Sequence, residues 1–126
     1  MKKRLLSLLA PLLLLFGCSK AETPAFQRIT MDEAAKQMGT DGVVLVDVRT
    51  LDEYNAGHIP GAICIPLDSI TAPPEELPDK AQTILVYCRS GRRSLEAAKK
   101  LAALGYTGIV ECGGIQSWKG ELEYGK

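Results

Sequence analysis

Cys88 and the six residues after it carry the chemistry of this chain. Cys88-Arg89-Ser90-Gly91-Arg92-Arg93-Ser94 sets a thiol beside a glycine and three guanidinium groups. A core loop has no use for clustered cations, whereas an anionic sulfur has. Backbone N–H groups of a tight loop can converge on one point, and a helix starting there adds positive potential. Each effect favours thiolate over thiol, so Cys88 is expected to be a nucleophile with a lowered pKa. Gly91 is expected to supply a backbone angle other residues avoid. The Cys-x5-Arg spacing that clamps a phosphoryl group is missing, because Ser94 stands at that position and Arg93 falls one residue short.

The elements around the loop are read from pattern. Thr83 to Tyr87 is β-branched, apolar and aromatic, a buried strand. Ser94 to Leu104 reads as a helix. Ala97, Ala98, Leu101 and Leu104 form its apolar stripe, Glu96 and Lys100 can pair at i,i+4, and Gly105 ends it. Cys88 thus sits where a strand hands over to a helix. Upstream, Phe26 to Ile29 is a short strand, and Thr30-Met31-Asp32-Glu33 is a capping box opening a helix to about Met38. Val43 to Val48 reads as a strand covered on both faces, with Asp47 and Arg49 at its C-terminal end, where open α/β sheets bind ligands. Thr50-Leu51-Asp52-Glu53 repeats the capping box. Gly57 to Gly61 is a turn around His58, Ala62 to Ile65 a strand, and Thr71 to Lys80 a proline-rich solvated loop. Tyr106 to Val110 is expected as the last strand, and Gly114 to Trp118 as the start of a terminal helix. Strands alternating with helices indicate an α/β fold with a mostly parallel sheet.

The chain has 126 residues, 46% hydrophobic and 24% charged, enough for one small domain. Its net charge is zero, but Lys2, Lys3 and Arg4 belong to an N-terminal segment; without them 12 basic residues face 15 acidic ones, a net −3. That balance gives no reason to expect nucleic acid as a partner. One histidine and no Cys-x-x-C pair argue against a metal site. A basic start followed by an apolar Leu5 to Phe16, too short to span a bilayer, reads as a targeting segment over 1–17.

Three stretches together resemble the rhodanese family of sulfurtransferases. They are the loop Cys88–Ser94; Val46-Asp47-Val48-Arg49 with Glu53-Tyr54 and Gly57-His58-Ile59-Pro60-Gly61-Ala62; and Gly113-Gly114-Ile115 with Trp118. The resemblance implies a five-stranded, mostly parallel sheet with helices on both faces over residues 26–124. It implies a sulfane sulfur moved from an anionic donor such as thiosulfate to cyanide or a thiol through a Cys88 persulfide. No cofactor is called for. Arg89, Ser90, Gly91, Arg92, Arg93 and Ser94 become the substrate and persulfide loop. Asp47, Arg49, Glu53 and His58 become structural support. Leu15-Phe16-Gly17-Cys18 resembles a bacterial lipoprotein signal. Cys18 would then be lipidated, 18–25 a tether, and the domain a monomer held on the extracytoplasmic side of a membrane.

Cys64 and Cys112 depart from the family pattern. Both are expected near the C-terminal ends of strands, the edge that carries Cys88. Either could be a small core residue, or could resolve the Cys88 persulfide by forming a disulfide. A non-turnover persulfide carrier, or a redox or docking module, is the alternative to a turning-over enzyme.

Overall fold

The computed structural model describes residues 25–125. The signal segment over 1–17, the lipidation expected at Cys18 and nearly all of the tether lie outside the described residues. Five strands form one sheet: β1 (Gln27–Arg28), β2 (Val43–Asp47), β3 (Ile63–Cys64), β4 (Thr83–Cys88) and β5 (Ile109–Gly114). Their order is β1-β5-β4-β2-β3, and each neighbouring pair is parallel. Helix α1 (Met31–Ala35) follows β1, α2 (Leu51–Asn55) follows β2, and α3 (Arg92–Ala103) joins β4 to β5. Single 3-10 turns span Leu67–Ser69 and Ile115–Ser117.

The sheet is buried on both faces because alternate residues of β4 enter different cores. Ile84, Val86 and Cys88 pack with Ala97, Ala98 and Leu101 of α3, while Leu85 and Tyr87 pack with Met31 and Ala34 of α1 and Tyr54 of α2. The period of two along the strand makes this division. It produces the expected α/β sheet with helices on both faces. Both capping boxes form: Thr30 and Thr50 accept from the backbone N–H of Glu33 and Glu53, whose side chains reach back to the cap N–H.

Boundaries differ from expectation in four places. Helix α1 ends at Ala35 and runs into turns over 36–39, short of Met38. Helix α3 begins at Arg92, so Arg92 and Arg93 occupy its first turn instead of a loop. Tyr106 and Thr107 do not begin β5. Gly105 takes φ +103°, and the Tyr106 N–H returns to Leu101 O at 3.1 Å. This closes α3 as a Schellman turn and delays β5 to Ile109. Gly113 and Gly114 belong to β5, and only the 3-10 turn Ile115–Ser117 comes after, in place of a terminal helix. Glu96 and Lys100 are not among the ion pairs formed by the described residues.

Candidate active site

The site lies at the C-terminal edge of the sheet, where β4 ends. The β4–β5 pairing carries an irregularity there: Val86 pairs with Glu111, but Cys88 pairs with Gly114. An extra residue on one strand bends it and redirects the chain beyond. Gly114 is required at this point, because a Cβ there would collide with the Arg89 carbonyl and Ser90 Cα. The end of β5 therefore forms the floor of the loop.

Arg89, Ser90 and Gly91 make the turn from β4 into α3. Gly91 adopts φ +113°, a region that favours glycine. This angle points its N–H at Cys88 Sγ, 3.0 Å away. Ser94 Oγ lies 3.5 Å from the same sulfur. Cys88 is 1% exposed, so only a small group can reach its sulfur. Burial pushes the thiol pKa up. Hydrogen bonding within the loop, at Ser94, Gly91 and Ser90, outweighs it, and the net shift is downward. The N-terminus of the 12-residue α3 adds to this preference for an anion.

The three arginines do not share one role. Arg89 and Arg92 are exposed and belong to none of the ion pairs among the described residues. Arg93, expected to draw in a donor with them, is instead clamped to α2. Its Nη1 and Nη2 donate to Glu53 Oε1 and Oε2 at 2.8 and 3.0 Å. That pair holds the Glu53 carboxyl down at about 2 and raises Arg93. Glu53 therefore belongs with Arg93. Asp47 and Arg49 form a separate buried pair, with Arg49 Nη2 2.7 Å from Asp47 Oδ2 and the same distance from Gly57 O. This ties the end of β2 to the turn that carries His58.

His58 does not approach Cys88 by any contact. Its ring stacks on Tyr54 at 3.7 Å between centroids, and Nδ1 lies 2.8 Å from Tyr54 O. Its backbone pairs with Glu123. The residue fastens the C-terminal segment to the turn after α2.

Neither additional cysteine is placed to close a disulfide on Cys88. Cys64 pairs with Asp47, and Asp47 with Tyr87, so all of β2 stands between β3 and β4. Two strand spacings are about 9.5 Å, beyond the roughly 7 Å reach of a disulfide between Cα atoms. Cys112 is inside β5, not at its end. It packs in the core that holds Tyr87, whereas Cys88 packs in the core under α3, so their side chains leave the sheet on opposite faces. Burial pushes the Cys112 thiol up to about 12, and its Sγ sits 3.3 Å from Val86 O. Cys64 is also raised, by burial and by Asp47. The resolving role expected for these two residues, and the redox module built on it, are corrected on this geometry.

Sequence pattern does not single out Glu111. It is 2% exposed in β5, and its Oε2 accepts from Ser94 Oγ at 2.5 Å. A lone carboxylate in the otherwise apolar run Ile109 to Cys112 is the signal that could have found it. Beside the loop opens a cleft of about 500 Å³ lined by Arg49, Glu53, Arg89, Ile115, Trp118 and Leu122, among others.

Residues 30–121 match the rhodanese-like domain family. The thiosulfate sulfurtransferase PspE of Escherichia coli strain K12 is 39% identical over 72 residues, covering 56% of this chain and 69% of that protein. A sulfurtransferase of Allochromatium vinosum is 40% identical over 80 residues, covering 63% and 74%. Among solved structures, a rhodanese-like domain protein from Staphylococcus aureus superposes with a TM-score of 0.66 at 34% identity, over 79% of this chain and 99% of that one. With a thiol of lowered pKa in a loop of converging N–H groups, on a parallel five-stranded sheet shared with these relatives, the chain belongs to the rhodanese-like domain family of sulfurtransferases.

Proposed function

We propose that the protein transfers sulfane sulfur from a small anionic donor of the thiosulfate type to a thiophilic acceptor, through a persulfide on Cys88. The Cys88 thiolate attacks the outer sulfur of thiosulfate. The new Sγ–S bond forms as the donor's S–S bond breaks, and sulfite leaves with the electron pair. An acceptor, cyanide or a thiolate, then attacks the outer persulfide sulfur, and Cys88 departs as thiolate. Neither step consumes an oxidant or a reductant. Arg89 and Arg92 raise the local concentration of the donor, and the loop N–H groups hold the anionic sulfur. The observation that carries this reading is the 3.0 Å approach of the Gly91 N–H to Cys88 Sγ, in a loop that lowers the pKa of a buried thiol.

The test is the intact mass of the reduced full chain after incubation with thiosulfate. One added sulfur atom is expected, removed by cyanide and absent in Cys88→Ser. No added sulfur on the reduced protein sinks the reading. Repeated discharge by cyanide under excess donor identifies a turning-over enzyme, whereas a single stoichiometric discharge identifies a sulfur carrier. We propose also that Cys18 is lipidated and holds the domain on the extracytoplasmic side of a membrane; labelled fatty acid should be incorporated into the parent and not into Cys18→Ser.

A further inference from the structure

Hydrogen bonding continues behind the loop. Next to Ser94 lies Glu111, whose Oε2 accepts from Ser94 Oγ at 2.5 Å and from the Gly113 N–H at 2.8 Å. Its Oε1 accepts from Arg28 Nε of β1 at 3.2 Å. Burying a carboxylate this deeply is costly unless donors satisfy it, and these three supply that.

A serine hydroxyl has one proton. Around Ser94 Oγ that proton has four claimants: Glu111 Oε2 at 2.5 Å, Gly91 O at 3.1 Å, Gly113 O at 3.3 Å and Cys88 Sγ at 3.5 Å. The carboxylate is the closest, and bonds to an ionised acceptor are about twice as strong as neutral ones. The proton therefore sits on the Ser94–Glu111 line. Toward the sulfur Ser94 turns a lone pair, which can accept from the S–H of the thiol but gives nothing to a thiolate.

We propose that Glu111 is a positioning residue for the sulfur chemistry: by holding the Ser94 hydroxyl proton it withholds one hydrogen bond from the Cys88 sulfur and keeps that thiolate more basic than the loop alone would make it. The inference rests on the persulfide reading above. A more basic thiolate attacks a donor faster, and is the poorer leaving group when an acceptor attacks the persulfide. Glu111 thus biases the site toward taking up sulfur and retaining it.

Other groups near the sulfur are cationic, mutually paired or neutral. Arg89 lies in the loop; Arg92 and Arg93 open α3, the latter tied to Glu53 of α2. Asp47 and Arg49 at the end of β2 pair with each other. Tyr87 of β4 and Cys112 of β5 are both pushed toward their neutral forms, first by burial. Arg28 of β1 faces Glu111. Among the described residues, Glu111 is the carboxylate joined to the sulfur through a shared hydroxyl.

The experiment is the pH dependence of Cys88 alkylation by iodoacetamide in the reduced full chain, with the modified cysteine identified by peptide mass. The parent is compared with Glu111→Gln, Ser94→Ala and the double variant. The Gly113 N–H and the Ser94 hydroxyl both address Oε2; Gln replaces that charged acceptor with a neutral one about half as strong, which loosens the hydroxyl proton and lets it return to the sulfur. Glu111→Gln is expected to lower the alkylation pKa by about one unit. It should speed cyanide discharge of loaded protein about threefold and slow loading at high pH by a similar factor. Ser94→Ala alone should leave the pKa within about 0.3 units, and most of the Glu111→Gln shift should vanish on that background. An unchanged or raised pKa in Glu111→Gln overturns the proposal. So does a rise of about one unit in Ser94→Ala, which means that Ser94 already donates to the thiolate. If Glu111→Gln does not fold, the Ser94→Ala profile still decides. Alkylation needs no sulfur transfer, so absence of a persulfide would refute the function while leaving the test of Glu111 intact.

Discussion

Glu53→Gln cuts the clamp that holds Arg93 beside the Cys88 loop, and its effect can be sized. In the parent the carboxyl is lowered from 4.5 to about 2, first by the Arg93 guanidinium, against burial, with help from Thr50. A shift of that size corresponds to about 3 kcal/mol of preference for the charged form. The two side chains are 31% and 30% exposed, so water screens the pair, and exposed pairs deliver well under their nominal value. The Thr50 hydrogen bonds also survive in Gln. The loss at pH 7 should be about 1 kcal/mol, or roughly 4–8 °C in Tm for a domain of this size. Because the folded pKa lies below the unfolded one, this stability is complete above about pH 4.5 and disappears as pH falls through about 2. Thermal unfolding of parent and variant at pH 7, 4 and 2 should therefore show a gap that narrows with acid. A gap under 1 °C at pH 7, or one that persists undiminished at pH 2, would refute the assignment of Arg93 to Glu53.

The same geometry sets three further outcomes. Arg89→Ala with Arg92→Ala should raise the KM for thiosulfate several-fold and flatten its dependence on ionic strength, since exposed cations act by screened, long-range attraction; an unchanged salt profile would remove these residues from donor capture. Gly114→Ala should drive β5 away from the Arg89–Ser90 backbone, cutting persulfide loading at least about tenfold while far-UV circular dichroism stays near that of the parent. Cys64→Ser with Cys112→Ser should load and discharge sulfur at parental rates, with a stability cost of about 1–2 kcal/mol from the hydroxyl placed in the core at 112. Loss of turnover in that double variant would restore a redox role the geometry argues against.

Much of the site was legible because its signals are local. The two capping boxes, the β-branched run into Cys88, the glycine at a positive φ and the helix stripe each depend on residues a few positions apart. The extent of β5 was not legible. Tyr106 and Thr107 have strand-like side chains, but Leu101 O and Lys80 O take their N–H groups, and Tyr106 OH is spent on Leu77 O. Glu111-Cys112-Gly113-Gly114 looks unlike a strand because it contains a carboxylate and two glycines. It is one nonetheless, since Ser94, Gly113 and Arg28 satisfy the charge and the glycines let the loop come close.

By itself the sequence determined the family, the parallel α/β order and the identity of Cys88 as the candidate nucleophile, because these rest on short-range pattern and on residue type. Only the tertiary structure decided which cations are free, which cysteines share a face with Cys88 and where the proton of Ser94 goes. Arg93 and Glu53 are 40 residues apart, and Ser94 and Glu111 are 17 apart. Such pairings are fixed by sheet order and by which face of a strand each side chain leaves. No local periodicity encodes them.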